Sequence, residues 1–226
     1  MFPKERSATL KNPSKKQMSD TLLIGILLAG TGGFLDAYTY LLRGKVFANA
    51  QTGNMVLFGI SLLNHNIKGM FCYLLPIFFF FLGVLIAEIV KDCFKEKENI
   101  HWRQIILMIE CFMLALTSLL PSSLNFIANS IISLVCSLQV EAFRKLQGNP
   151  YATTMCTGNL RSAAWHFYNY MKSKEKASLT TSLRYFTIIS FFILGAVAGA
   201  FLCEVFSLYS IFFAVLLLLA AIILMW

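Results

Sequence analysis

Two carboxylates and two copies of one triplet stand out as the residues whose types and spacing suit chemistry. Thr52-Gly53-Asn54 recurs 105 positions later as Thr157-Gly158-Asn159, and the same offset carries Asp36 to Glu141. Ala37 and Ala142, Tyr38 and Phe143, and Leu41 and Leu146 fall in the same register without a gap. A carboxylate inside an apolar segment is costly, roughly 2.5–3.5 kcal/mol at a helix centre on insertion scales, and such residues commonly handle protons or cations. The plainer alternative is that each carboxylate snorkels or pairs with the nearby Arg43 or Arg144. The triplets suit the start of a helix. Thr or Asn can cap orphan N–H groups there, and Gly lifts the steric barrier to an unusual turn. A helix start facing a cavity attracts anionic groups, whereas one sealed by its own cap binds nothing.

The candidate substrate- or ion-binding residues are therefore Asp36, Thr52, Gly53, Asn54, Glu141, Thr157, Gly158 and Asn159. Glu110, inside an apolar run, together with Arg43 and Arg161 beside these motifs, are weaker candidates. His65, His101 and His166 lack metal-ligand spacing, and there is no HExxH pattern, phosphate loop or Ser-His-Asp order. No catalytic residue, metal or cofactor is expected, and the chain reads as a non-enzyme. The six cysteines include no CxxC pair and read as small packed hydrophobes.

The elements that must position these residues are set by composition. Of 226 residues, 58% are hydrophobic and 13% charged, with mean hydropathy +0.69. Soluble domains carry about 25% charged residues, so this chain belongs in a lipid bilayer. The net charge of +8 forms no single stripe, which argues against a nucleic-acid partner. Six apolar runs suit spanning helices: 21–42, 71–90, 104–121, 124–143, 184–205 and 207–226. The polar N-terminus reads as a basic tail over 1–19, with no signal-peptide cleavage site.

Lys and Arg concentrate in that tail and in the second and fourth connections, while the third and fifth connections hold none. This bias puts both termini in the cytoplasm. Arg43, Lys45 and Lys68 in the first connection run against it. Each half, 20–121 and 122–226, then holds three crossings, so the second half enters the membrane upside down. The expected fold is an all-α integral membrane protein of two inverted three-helix repeats, each with a TGN turn and a short re-entrant or interfacial helix. The segments after the triplets fit the short helices: "MVLFGISLL" is too short to span, and Leu160, Ala164, Phe167, Tyr168 and Met171 fall at helical spacing. Gly195 and Gly199 form a small-residue face, read first as intramolecular packing and second as a homo-oligomer contact.

The stretch "GFLDAYTYLLRGKVFANAQTGNMVLFGI" resembles the signature of the YoaK-type bacterial membrane proteins. There a glycine and Asp-Ala precede a vF-x-A-x-x-TGN stretch, and a second TGN lies in the other half. The likeness covers about residues 20–205, and it implies a six-helix inner-membrane protein without supplying a substrate. Glu141 in place of a second Asp puts a strictly symmetric site in doubt. Inverted repeats with a shared site near the midplane are a transporter layout. The leading expectation is a secondary transporter or facilitator of a small solute or ion. The rival is a non-transporting scaffold or assembly protein.

Overall fold

The structure, a computed structural model, describes residues 18–95 and 101–226. The expected basic tail falls outside the described residues except for its last two positions, and so does Lys97 of the second connection.

Among the described residues eight α-helices carry the fold: α1 Leu22–Leu42, α2 Gln51–Leu63, α3 Ile67–Phe94, α4 Trp102–Ser118, α5 Asn125–Ala142, α6 Cys156–Ser173, α7 Lys176–Phe206 and α8 Ile211–Leu224. A two-residue hairpin, β1 Lys145–Leu146 with β2 Asn149–Pro150, follows α5. It turns at Gln147 and Gly148, both with positive φ, a short local device that the apolar pattern does not signal. The six apolar runs lie mostly in helices, with shifted ends. α3 and α7 run several residues past the apolar stretches, because Lys91 and Lys176 continue a helix as readily as Leu does. α4 stops at Ser118, short of Pro121, and α8 starts only after a 3-10 turn.

Among the described residues, four helical segments are long and apolar enough to cross a membrane: Leu22–Leu42, Ile67–Phe94, Ser122–Ala142 and the 49-residue run Lys176–Leu224. The last contains both α7 and α8, broken at Ser207 with φ +50°. Burial sorts the helices into two groups. α1, α4, α5 and α8 form the centre, with Leu28, Phe34, Leu107, Leu114, Ile132 and Leu218 fully or almost fully buried. α3 and α7 lie outside. Phe71, Phe78, Phe81 and Ile89 of α3, and Ile193, Val197 and Phe201 of α7, remain exposed. Apolar surface on this scale is stable only against lipid or another apolar partner.

The packing partners are α1 with α7, α3 with α5, α2 with α3, α6 with α7, α4 with α5, α1 with α8, and α4 with α8. Small residues set the closest approaches. A Cβ on Gly195 would strike the backbone of Gly30, and one on Gly199 would press on Phe34 at 3.0 Å. The Gly195–Gly199 face is therefore filled by α1 and is not open to a second copy of the chain. Across the molecule, Gly83 of α3 makes a similar close approach to Leu134 and Ser137 of α5.

Candidate functional site

Each TGN triplet lies in the first turn of a helix, not in a turn before it. The residues preceding the helices are Ala50 and Met155, and neither helix receives a side-chain cap. The expected capping by Thr or Asn is therefore corrected. Thr52, Gly53, Thr157 and Gly158 are exposed, and only Asn54 and Asn159 are buried, each 1% exposed. The glycines take no positive φ, and a Cβ on Gly158 would meet nothing within 4 Å. Nothing in the structure explains why these two positions are glycine.

The asparagines do something else. The Asn54 amide donates to the Phe47 carbonyl at 3.1 Å and to Gln51 Oε1 at 3.1 Å. The Asn159 amide donates to the Ala152 carbonyl at 2.7 Å and accepts from the Ala152 N–H at 3.1 Å. Both reach back seven residues, so each clamps the loop that enters its own helix. These side chains bind their own loops, Asn159 through backbone and Asn54 through backbone and Gln51, and shape the loops from within.

What the clamps position is the pair of loops. Asn49 and Thr154 are related by the same 105-residue offset, and both arrive at Gly32. Asn49 Nδ2 donates to the Gly32 carbonyl at 3.1 Å. From the other loop, a Cβ on Gly32 would lie 2.9 Å from Thr154 Cγ2 and 3.3 Å from the Thr153 carbonyl. Asn49 Oδ1, Thr153 Oγ1 and Thr154 Oγ1 are buried and lack a protein hydrogen-bond partner. Buried polar atoms are nearly always satisfied by protein or ordered water. Three unpartnered oxygens on the two converging loops mark this as the polar focus of the molecule. Sequence reasoning passed over all three residues. The available signal was that polar residues stand five positions before the last residue of each triplet.

Asp36 sits one helical turn beyond Gly32 on α1, and its Oδ1 accepts the Asn49 N–H at 3.2 Å. No ion pair reaches it among the described residues. Cys136 of α5 lies within electrostatic range of both Asp36 and Glu110. Glu110 is fully buried in α4, and neither of its oxygens has a hydrogen-bond partner. Glu141 stands elsewhere, 3.1 Å from Arg144 at the end of α5. Arg144 also approaches Glu88 of α3 at 3.5 Å, which Lys91 holds at 2.6 Å. The structure thus gathers Asp36 and the two loops, with Glu110 nearby, and leaves Glu141 in a partly exposed ion-pair cluster.

Arg43 and Arg161 separate as well. Arg161 is exposed on α6, beside Trp165 and His166. Arg43 is fully buried, donating to Tyr38 Oη at 3.0 Å, to the Thr117 carbonyl in the last turn of α4 at 2.6 Å and to the Leu120 carbonyl just beyond it at 2.8 Å. It closes the negative end of that helix. At the opposite end of α4, His101 Nδ1 accepts the Arg103 N–H at 3.2 Å. Burial, helped by the Arg103 charge, holds the His101 imidazole below its ordinary value of 6.5. Among the described residues, no group of three or more His, Cys, Asp or Glu side chains is placed to hold a metal ion.

Residues 24–224 match the family described as a protein of unknown function, DUF1275. The chain is also 27% identical over 183 residues to the UPF0700 transmembrane protein YoaK of Bacillus subtilis (strain 168), covering 77% of this chain and 80% of that protein. No solved structure matches.

Proposed function

The chain belongs to the DUF1275 family of membrane proteins, and we propose that it is a non-enzymatic secondary transporter or facilitator of a small solute or ion. The carrying observation is the convergence of the two pre-TGN loops on Gly32. Gly32 is the eleventh of 21 residues in α1, so about 15 Å of helix lies on either side. That is half of a hydrocarbon core about 30 Å thick. Two loops that pack together at this depth with unpartnered oxygens, beside a carboxylate without a counter-ion, have the form of a midplane transporter site.

The architecture that serves this function is six crossings in two inverted repeats. The helix packing supports it: exchanging α1–α4 with α5–α8 turns α1–α7 into α5–α3, α2–α3 into α6–α7, and α4–α5 into α8–α1. Laid straight, the 49-residue run would measure about 73 Å, enough for two crossings folded back at Ser207. α2 and α6 are then the short re-entrant or interfacial helices. The bacterial inner membrane, with both termini cytoplasmic, follows from the charge bias of the connections. Asp36 takes up and releases the coupling proton or cation. Asn49, Thr153 and Thr154 bind the solute.

The test is flux of a broad panel of small solutes and ions into proteoliposomes, comparing the wild-type chain with Asp36→Asn. Transport that depends on Asp36 supports the reading. A purified, folded protein that moves nothing leaves the scaffold reading, which the inward-turned Asn54 and Asn159 favour.

A further inference from the structure

The three basic residues of the first connection run against the charge bias of the chain, and the structure gives them two places. Lys45 lies over the Tyr40 ring at 4.7 Å. Arg43 and Lys68 line one cavity of about 380 Å³, together with Ser122, Ser123, Asn125 and Asn129. None of its described lining residues is acidic.

Arg43 is 0% exposed, and its partners are all neutral: Tyr38 Oη, the Thr117 and Leu120 carbonyls, and Asn125 Oδ1 at 3.4 Å. Its five N–H groups are filled, yet among the described residues its full charge meets only the Tyr38 ring at 5.6 Å and the fractional charge at the end of α4. A buried cation in this state favours any anion that reaches the cavity. Because Asn125 gives its oxygen to Arg43, its amide N–H groups are left for the cavity. Lys68, Ser122 and Ser123 are exposed at its rim and add further donors. Asn129 is 2% exposed, donates its amide to the Arg43 carbonyl at 2.8 Å, and keeps an unpartnered buried Oδ1. That atom calls for a hydrogen-bond donor on the ligand.

We propose that this cavity is a binding site for a small oxyanion, a phosphate or a carboxylate, that also carries a hydroxyl group. Arg43 supplies fixed charge from behind, Lys68 closes on the anion from the rim, and Asn129 accepts the ligand hydroxyl. The site stands apart from the Gly32 focus and does not depend on the transport reading.

The experiment is isothermal titration of the delipidated full chain in a non-ionic detergent. The probes are inorganic phosphate, lactate and a short-chain phosphatidylglycerol, each with the wild-type protein and with Lys68→Gln and Lys68→Glu. The expected result is saturable one-to-one binding of at least one probe. Lys68→Gln weakens it about tenfold, roughly the 1.4 kcal/mol of one charged contact, and Lys68→Glu abolishes it. Both variants are checked for folding by their melting transitions. Tightest binding of the lipid identifies a headgroup as the natural source, and tightest binding of phosphate or lactate identifies a soluble anion. No saturable binding by any probe, or equal binding by folded Lys68→Glu, overturns the proposal.

Discussion

Asp36 and Glu141 hold the same position in the two halves of the chain, sixteen residues before a TGN triplet, yet they sit in opposite surroundings. Asp36 accepts a loop N–H beside unpartnered oxygens and meets no cation among the described residues. Glu141 lies against Arg144, in a cluster that includes Glu88 and Lys91. The neighbours differ too. Residue 39, one turn after Asp36, is a threonine whose hydroxyl accepts the Ala48 N–H, whereas its counterpart is Arg144, which draws Glu141 outward. Asp36 is followed by six more residues of α1 whereas α5 ends one residue after Glu141, so the same register places one carboxylate inside its helix and the other at a helix end. Repetition of sequence does not guarantee repetition of chemistry.

The largest effect should come from the carboxylates themselves. Asp36→Asn is expected to cut proteoliposome flux tenfold or more, whereas Glu141→Gln stays within about twofold of wild type, because Glu141 pairs with Arg144 away from the two loops. Equal losses would restore a symmetric site and break the comparison.

The two loop clamps come next. Asn159 holds both the donor and the acceptor of Ala152, while Asn54 holds one backbone carbonyl and a side chain. Asn159→Ala should destabilise the protein by about 2 kcal/mol and Asn54→Ala by about half as much, since each abandoned buried group costs on the order of 1 kcal/mol. Thermal melts in detergent would measure both, and the reverse order would mean that the first loop is the more tightly held.

Glycine substitutions sharpen the contrast between triplets and loops. Gly32→Ala forces a Cβ against Thr154 and should lower the melting temperature. Gly158→Ala meets open space and is expected to be neutral or stabilising by up to about 1 kcal/mol through helix propensity. A destabilised Gly158→Ala would reveal a contact at the triplet itself.

The smallest effect concerns the start of α4, which His101 caps. The folded His101 pKa lies below 6.5, so the unfolded chain binds its proton first. Stability is complete above pH 6.5 and is lost as pH falls through the lower folded value. A modest loss of melting temperature between pH 7 and 5 is expected, absent in His101→Asn, which keeps a capping side chain. An unchanged pH profile in that variant would assign the titration elsewhere.

The helices were legible because each is a run of apolar residues with polar breaks, and a bilayer leaves helix as the economical way to satisfy such a backbone. The TGN register was equally legible, since it is a fact of the letters. Its reading as a capped turn failed. Capping depends on which residue precedes the first helical one, a boundary decided by the loop, and Ala50 and Met155 stand there.

Sequence by itself therefore determined that this is a helical membrane chain with an internal repeat and a carboxylate in each half, because composition, period and spacing are one-dimensional. Only the tertiary structure decided that Asn49, Thr153 and Thr154 meet at Gly32, that Glu141 is pulled aside by Arg144, and that Arg43 is buried behind a cavity. Those outcomes depend on which helices touch. Contacts between α1 and a loop some 120 residues further along are set by close packing of small residues, which leaves no local trace in the sequence.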